Sequence, residues 1–426
     1  MLTVGFLLAY VCFADAKGLG LFGSDVLGLK NYENYKDNPI IDKSFLQQLP
    51  SLIEEAKSYT TLDIIERNGY KAENHYTTTS DGYILNLHRI PEGKTGRKNN
   101  KVAFLQHGIL ASSSDWVISG SGKSLGYALA DEGYDVWMGN NRGNMYSRNH
   151  TKLDPDKDLK FWDFSWHEIG TTDLPAMIDY VLNQTGVESL YYVGHSQGTT
   201  VFYVFASERP DYQKKVKAHV SLAPIGYMGH ATSPVIRLAG MLVKAGEMFY
   251  AVAGQQEVLP RQGFIGHLSE ILCAPGNKLT LLLCENLVFT LTGFNPEQTN
   301  TSLLPDIMAH APAGCSTKQM LHYGQELGTG HFRQYDYGMV NNLRKYKSIH
   351  PPRYYMKNIK IPMYLIYSRN DWISSETDTR KLCTEIGSSC KAFLISDKSF
   401  NHLDFVYGIY TDTLVNPKVL SSFARH

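Results

Sequence analysis

The chain has 426 residues, 43% of them apolar, and its 41 basic residues balance 41 acidic ones. That supplies a large core but no net field to attract a polyanion, which excludes nucleic acid as a partner. Beyond the N-terminus no stretch of eighteen uncharged apolar residues occurs, so no transmembrane helix is expected.

In chain order, residues 1–16 read as an export signal: Gly5 to Phe13 is a short apolar core, and Ala14-Asp15-Ala16 fits a small-x-small cleavage site. Residues 17–59 lack periodicity and are expected to wrap the surface. From 60 to 226 strands and helices alternate. Tyr76 to Ile90 is patterned as a hairpin turning at Ser80-Asp81-Gly82. The strands Val102 to Gln106, Tyr134 to Met138, Leu190 to Val193 and Ala218 to Pro224 follow, with helices predicted around Lys123 to Glu132, Thr172 to Leu182 and Gln197 to Ser207. This order calls for an α/β fold, a mostly parallel sheet covered by helices on both faces, with the hairpin antiparallel at one edge.

Alternation then stops. Residues 227–350 hold apolar segments of helical length, notably Val235 to Val252 and Leu279 to Phe294, and no clear strand. They read as a helical cap inserted into the core, with Leu238, Met241, Leu242, Met248, Phe249 and Tyr250 available to face an apolar site. From 351 to 426 the core resumes with the strands Ile361 to Tyr367 and Lys391 to Ile395.

Candidate chemistry is concentrated in the pentapeptide Gly194-His195-Ser196-Gln197-Gly198, which joins an apolar strand to a helix. That is the context of a nucleophile elbow, in which Gly194 and Gly198 let the backbone turn sharply so that Ser196 sits in a strained conformation with its hydroxyl exposed above the sheet. A serine hydroxyl needs a base, an orienting acid and an oxyanion hole. His402, in a loop after a late strand, is the candidate base. Asp371, at the C-terminal end of the Ile361 to Tyr367 strand, is preferred as the acid over Asp397 and Asp404. Asp404 is assigned instead to the first turn of the last helix. The order Ser196, Asp371, His402 is that of an α/β-hydrolase fold. The backbone N–H groups of Gln197 and of Ile109, after His107-Gly108, are the candidate oxyanion donors, and His107 is taken as shaping its loop. No metal or organic cofactor is required.

Three sequons, at Asn149, Asn183 and Asn300, fit passage through the secretory pathway. Loss of Cys12 with the signal leaves five cysteines, paired here as Cys273 with Cys284 and Cys383 with Cys390, leaving Cys315 free.

The chain resembles the acid lipase family, which includes gastric lipase, lysosomal acid lipase and secreted insect digestive lipases. The resemblance rests on Asn68-Gly69-Tyr70, Thr79 to Leu85, Leu105 to Leu110, Asp135 to Asn144, Phe161 to Trp166, Gly194 to Thr200 and Asn401 to Phe405, spread over most of the chain. It implies the same triad and oxyanion donors, a movable lid in the cap, and neutral lipids, triacylglycerols or sterol esters, met at a lipid–water interface. The product would be secreted or lysosomal. The cysteines depart from the mammalian pattern: the cap pair is spaced more widely, and a Cys383–Cys390 pair is unusual for the family. Outside that resemblance stand two other readings, a carboxylesterase or acyltransferase of soluble esters, and a catalytically silent lipid carrier.

Overall fold

The computed structural model describes residues 58–234, 236–237, 256–258 and 291–426, with isolated positions from 48 to 56. The expected export signal, the expected apolar cap residues from Leu238 to Tyr250 and the expected Cys273–Cys284 bridge lie outside the described residues.

In chain order the principal elements are α1 (Thr61–Arg67), β1 (Glu73–Thr78), β2 (Ile84–Ile90), β3 (Val102–Gln106), α2 (Leu125–Asp131), β4 (Asp135–Gly139), α3 (Leu174–Thr185), β5 (Leu190–His195), α4 (Gln197–Glu208) and β6 (Val216–Leu222). After them come β7 (Glu257–Val258), β8 (Cys315–Ser316), α5 (Thr317–Thr329), α6 (Met339–Tyr346), β9 (Met363–Tyr367), α7 (Glu376–Ile386), β10 (Cys390–Leu394), α8 (Asp404–Tyr407) and α9 (Asn416–Phe423). The large sheet runs β1-β2-β4-β3-β5-β6-β9-β10. β1 and β2 pair antiparallel, as do β2 and β4, and every later pairing is parallel.

The central strands are short apolar runs because both faces are covered. Every residue of β3, β5 and β9 is buried. Alternate residues feed two cores: Phe104, Trp137 and Tyr192 pack on the side of α3 and α4, whereas Leu105, Met138 and Val193 pack with residues of α2 and α9. α4 is buried along its first eleven residues, from Gln197 to Ser207, which accounts for an apolar sequence with no polar face.

The hairpin turns at Ser80-Asp81-Gly82 as expected: Thr78 pairs with Ile84, Gly82 N–H donates to the Thr79 carbonyl, and Asp81 within the turn also accepts from Arg142. Two expectations are corrected. The cap region holds a strand pair after all, since β7 and β8 join antiparallel over two residues each. Asp404 lies in the first turn of α8, which is not the last helix. Among the cysteines, Cys383 of α7 is bonded to Cys390 at the start of β10, and Cys315 is free and buried.

Candidate active site

Four loops at the C-terminal ends of parallel strands converge, the place where an open α/β sheet binds its ligands. β3 is followed by His107-Gly108, β5 by Ser196, β9 by the turn to Asp371, and β10 by the turn to His402. The predicted trio meets. Ser196 Oγ lies 2.8 Å from His402 Nε2, and His402 Nδ1 lies 2.8 Å from Asp371 Oδ2, with all three residues buried. Asp371 Oδ1 also accepts the backbone N–H groups of Ile373 (2.9 Å) and Ser374 (2.7 Å), which fixes the carboxylate. With a carboxylate accepting at Nδ1, the His402 proton sits on Nδ1 and Nε2 is free to accept from the hydroxyl.

The expected strain sits on Ser196, at φ 51° and ψ −118°, while neither Gly194 nor Gly198 has positive φ. The glycines are needed for room. A Cβ at Gly198 would stand 2.1 Å from the Gln106 carbonyl oxygen, and one at Gly194 would stand 2.5 Å from the Gly198 backbone. Strain held at a serine between two such close approaches sets its hydroxyl against His402 Nε2. Gln197 opens α4, so its N–H is among the donors a helix leaves unsatisfied. Gly108 lies against the nucleophile, since a Cβ there would be 3.2 Å from Ser196 Cβ, and Leu110 at φ 59° turns the chain just past Ile109.

A polar network after β4 holds that loop. His107 Nδ1 donates to the Gly108 carbonyl (2.7 Å), while its Nε2 accepts from Asn141 N–H (3.1 Å) and faces Asn144 Nδ2 (3.2 Å). Burial pushes the His107 ring down to about 4, so it is a neutral loop-shaper. Gln106 donates to Asn141, and Asn140 accepts from Ser113 N–H and Asn144. Arg142 anchors the network by reaching both Asp173 and Asp81 from a buried position over the Tyr83 ring. A buried guanidinium is tolerable only with such charged partners.

Three further features escaped the sequence reading. His195, one of fifteen histidines, donates from Nε2 to the His402 carbonyl oxygen (2.9 Å), its ring 5.1 Å from the His402 ring. Burial and the neighbouring His402 push it down to about 3, so it stays neutral as a donor. His195→Phe, which deletes that donor, is expected to lower kcat about ten- to a hundredfold with KM nearly unchanged, because a small misplacement of a catalytic group is costly; His195→Gln should recover part of the loss. Equal rates for the native and Phe enzymes would remove this positioning role.

Secondly, Asn401-His402-Leu403-Asp404 is a reciprocal cap: Asn401 Oδ1 accepts the Leu403 and Asp404 N–H groups, and Asp404 Oδ2 accepts Asn401 N–H at 2.7 Å. His402 thus sits in a locked first turn. The third feature is Thr292 to Asn295, which ties both triad loops together. Thr292 O accepts from Trp372 N–H, Phe294 O accepts from Asn370 Nδ2, Gly293 O accepts from Asn401 Nδ2, and Asn295 Nδ2 donates to Asp404 Oδ2. From α5, Gln319 donates to the Gln197 side chain at 3.1 Å.

α8 is also tied down by Tyr407 donating to the buried Asp115 carboxyl at 2.7 Å. Burial pushes Asp115 up to about 7, against the Tyr407 bond, and pushes Asp404 up to about 7, against the bonds from Asn401 and Asn295. In the unfolded chain both return to about 4. The folded state therefore binds more protons between those values, and the stability from these groups, complete below about pH 4, is lost as pH rises to about 7. Asp115→Asn/Asp404→Asn, which keeps acceptors for Tyr407 and Asn401, should flatten the fall of Tm between pH 4 and 7.5 by several degrees. Parallel Tm curves would remove this account.

Among the described residues no group of three or more His, Cys, Asp or Glu could hold a metal ion, and no helix is long and apolar enough to cross a membrane. The sequon residues Asn149, Asn183 and Asn300 are all exposed. Asn300 caps the turn at Ser302 through Oδ1, leaving Nδ2, the atom a glycan would modify, outside that contact.

Residues 61–120 match the partial alpha/beta-hydrolase lipase region, and residues 104–260 match the alpha/beta hydrolase fold. Lipase 3 of Drosophila melanogaster is 45% identical over 85% of this chain and 92% of its own length. The human lysosomal acid lipase/cholesteryl ester hydrolase is 37% identical over 85% of this chain and 90% of its own. A solved structure from Sulfolobus solfataricus, 17% identical, superposes with TM-score 0.51 over 80% of this chain and 90% of that one, a likeness of fold.

Proposed function

Since the chain belongs to the family of lipases that includes lysosomal acid lipase, and is itself a lipase hydrolysing ester bonds, we propose that it acts through Ser196, His402 and Asp371 on neutral lipids. The observation that carries the reading is the unbroken relay from Ser196 Oγ through His402 to Asp371, with 2.8 Å at each step. His402 Nε2 takes the Ser196 proton as Oγ attacks the ester carbonyl. The Ile109 and Gln197 N–H groups receive the developing oxyanion, and Asp371 stabilises the imidazolium. His402 returns the proton to the departing alcohol. Water, deprotonated in turn by His402, then releases the acid from Ser196.

The substrate assignment to triacylglycerols, with sterol esters as a second class, draws on the cholesteryl ester hydrolase among the relatives. Entry into the secretory pathway, with residues 1–16 removed and Asn149, Asn183 and Asn300 glycosylated, is part of the same reading, supported by the exposure of the three asparagines and the Cys383–Cys390 bond. The destination is extracellular or lysosomal.

The test is twofold. A serine-directed phosphonate should add its mass to the peptide bearing Ser196 and stop hydrolysis in proportion. Turnover of tributyrin should rise sharply once the ester exceeds its solubility limit. Labelling elsewhere with activity lost would displace Ser196, and activity saturating below the solubility limit would favour an esterase of soluble substrates.

A further inference from the structure

α6 presents an unusual surface. Met339, Val340 and Leu343 lie on one stripe of the helix at 67%, 63% and 53% exposure, and Ile349 follows at 47%. The helix buries only Asn342. Scattered exposed apolar residues are ordinary, but large ones in a single stripe mark a contact surface. Its chemical setting narrows the partner. From Tyr337 to Asn370 the chain carries seven Lys or Arg and no Asp or Glu, although the whole protein is balanced. Arg344 and Lys347 flank the stripe, both exposed and neither in an ion pair among the described residues. Asp336, the acid just before the helix, is engaged by Arg333, Asn342 and Gly338 N–H.

We propose that α6 with Ile349 docks the protein onto an anionic phospholipid surface, the apolar stripe entering the headgroup boundary and the basic rim meeting lipid phosphates. An apolar stripe rimmed by exposed cations that make no ion pair among the described residues, Lys347 donating only to the Arg344 carbonyl, matches the surface of a helix that lies in a lipid interface. The docking is separate from catalysis and does not rest on the triad assignment.

The full chain carrying Ser196→Ala, which prevents turnover of the lipid, should co-sediment with phosphatidylcholine vesicles containing phosphatidylglycerol, and weakly with phosphatidylcholine alone. Adding Met339→Ser, Val340→Ser and Leu343→Gln should lower the partition coefficient about tenfold or more. Arg344→Gln and Lys347→Asn should each lower it about fivefold, with asparagine suited to the left-handed backbone at 347, and added salt should weaken binding. The same changes in the chain with Ser196 intact should leave hydrolysis of a soluble p-nitrophenyl ester unchanged, showing that they fold; Leu343→Gln alone is the milder substitution. Patch variants that sediment like their parent would overturn the proposal. So would binding indifferent to phosphatidylglycerol, or binding to heparin without binding to vesicles.

Discussion

Ser196→Gly is expected to abolish ester hydrolysis and yet leave a chain about 1 kcal/mol more stable than Ser196→Ala. Both variants lose the proposed nucleophile, and the drop in kcat should approach about 10⁶, the scale set by deleting a triad serine elsewhere. They differ in backbone. Position 196 sits at φ 51° and ψ −118°, outside the regions an L-residue prefers, so alanine keeps the strain that glycine removes. Glycine's greater freedom in the unfolded chain offsets part of the gain. Thermal unfolding of the two variants at one pH measures the difference. If alanine matches glycine, the elbow stores no strain, and if either retains substantial turnover, Ser196 is not the nucleophile.

Asp371→Asn should lower kcat about 10⁴-fold with little change in fold. The particular hydrogen bonds explain the size. The Ile373 and Ser374 N–H groups both point at Oδ1 and need an acceptor, so an asparagine keeps its oxygen there and turns its NH₂ toward His402. His402 Nδ1 must then accept, its proton moves to Nε2, and the ring faces Ser196 with an N–H where a lone pair is required. Phosphonate labelling of Ser196 should slow along with turnover. A loss smaller than tenfold, with labelling intact, would mean that another group orients His402.

The alternation of strands and helices from Val102 to Leu222 was legible because the strands carry short apolar runs, such as Val102 to Leu105, Val136 to Met138 and Leu190 to Val193, separated by segments of helical length. That Ser196, Asp371 and His402 would meet was legible for a related reason: each lies at the end of a strand or in the loop after it, so identifying the strands brought the three to one edge of the sheet. Features set by close packing were not. Nothing in the letters of Gly194 and Gly198 distinguishes a need for positive φ from a need for empty space. Asp81 was legible as a turn residue but not as the partner of Arg142, sixty-one positions away. His195 and Gln319 act through single hydrogen bonds to distant backbone or side chain, which no periodicity records. The two-residue pairing of β7 with β8 is too short to leave a pattern.

β6 and β9 are neighbours in the sheet although about 140 positions separate them. Whatever is threaded between them leaves the sheet and re-enters it through a single seam, so its length and shape can change while the reacting atoms stay where they are. A chimaera that swaps part of this portion for a relative's is expected to keep Ser196, His402 and Asp371 in place, provided it preserves the stitch from Thr292 to Asn295 and the amide of Gln319, which among the described residues tie this portion to the triad loops and to Gln197.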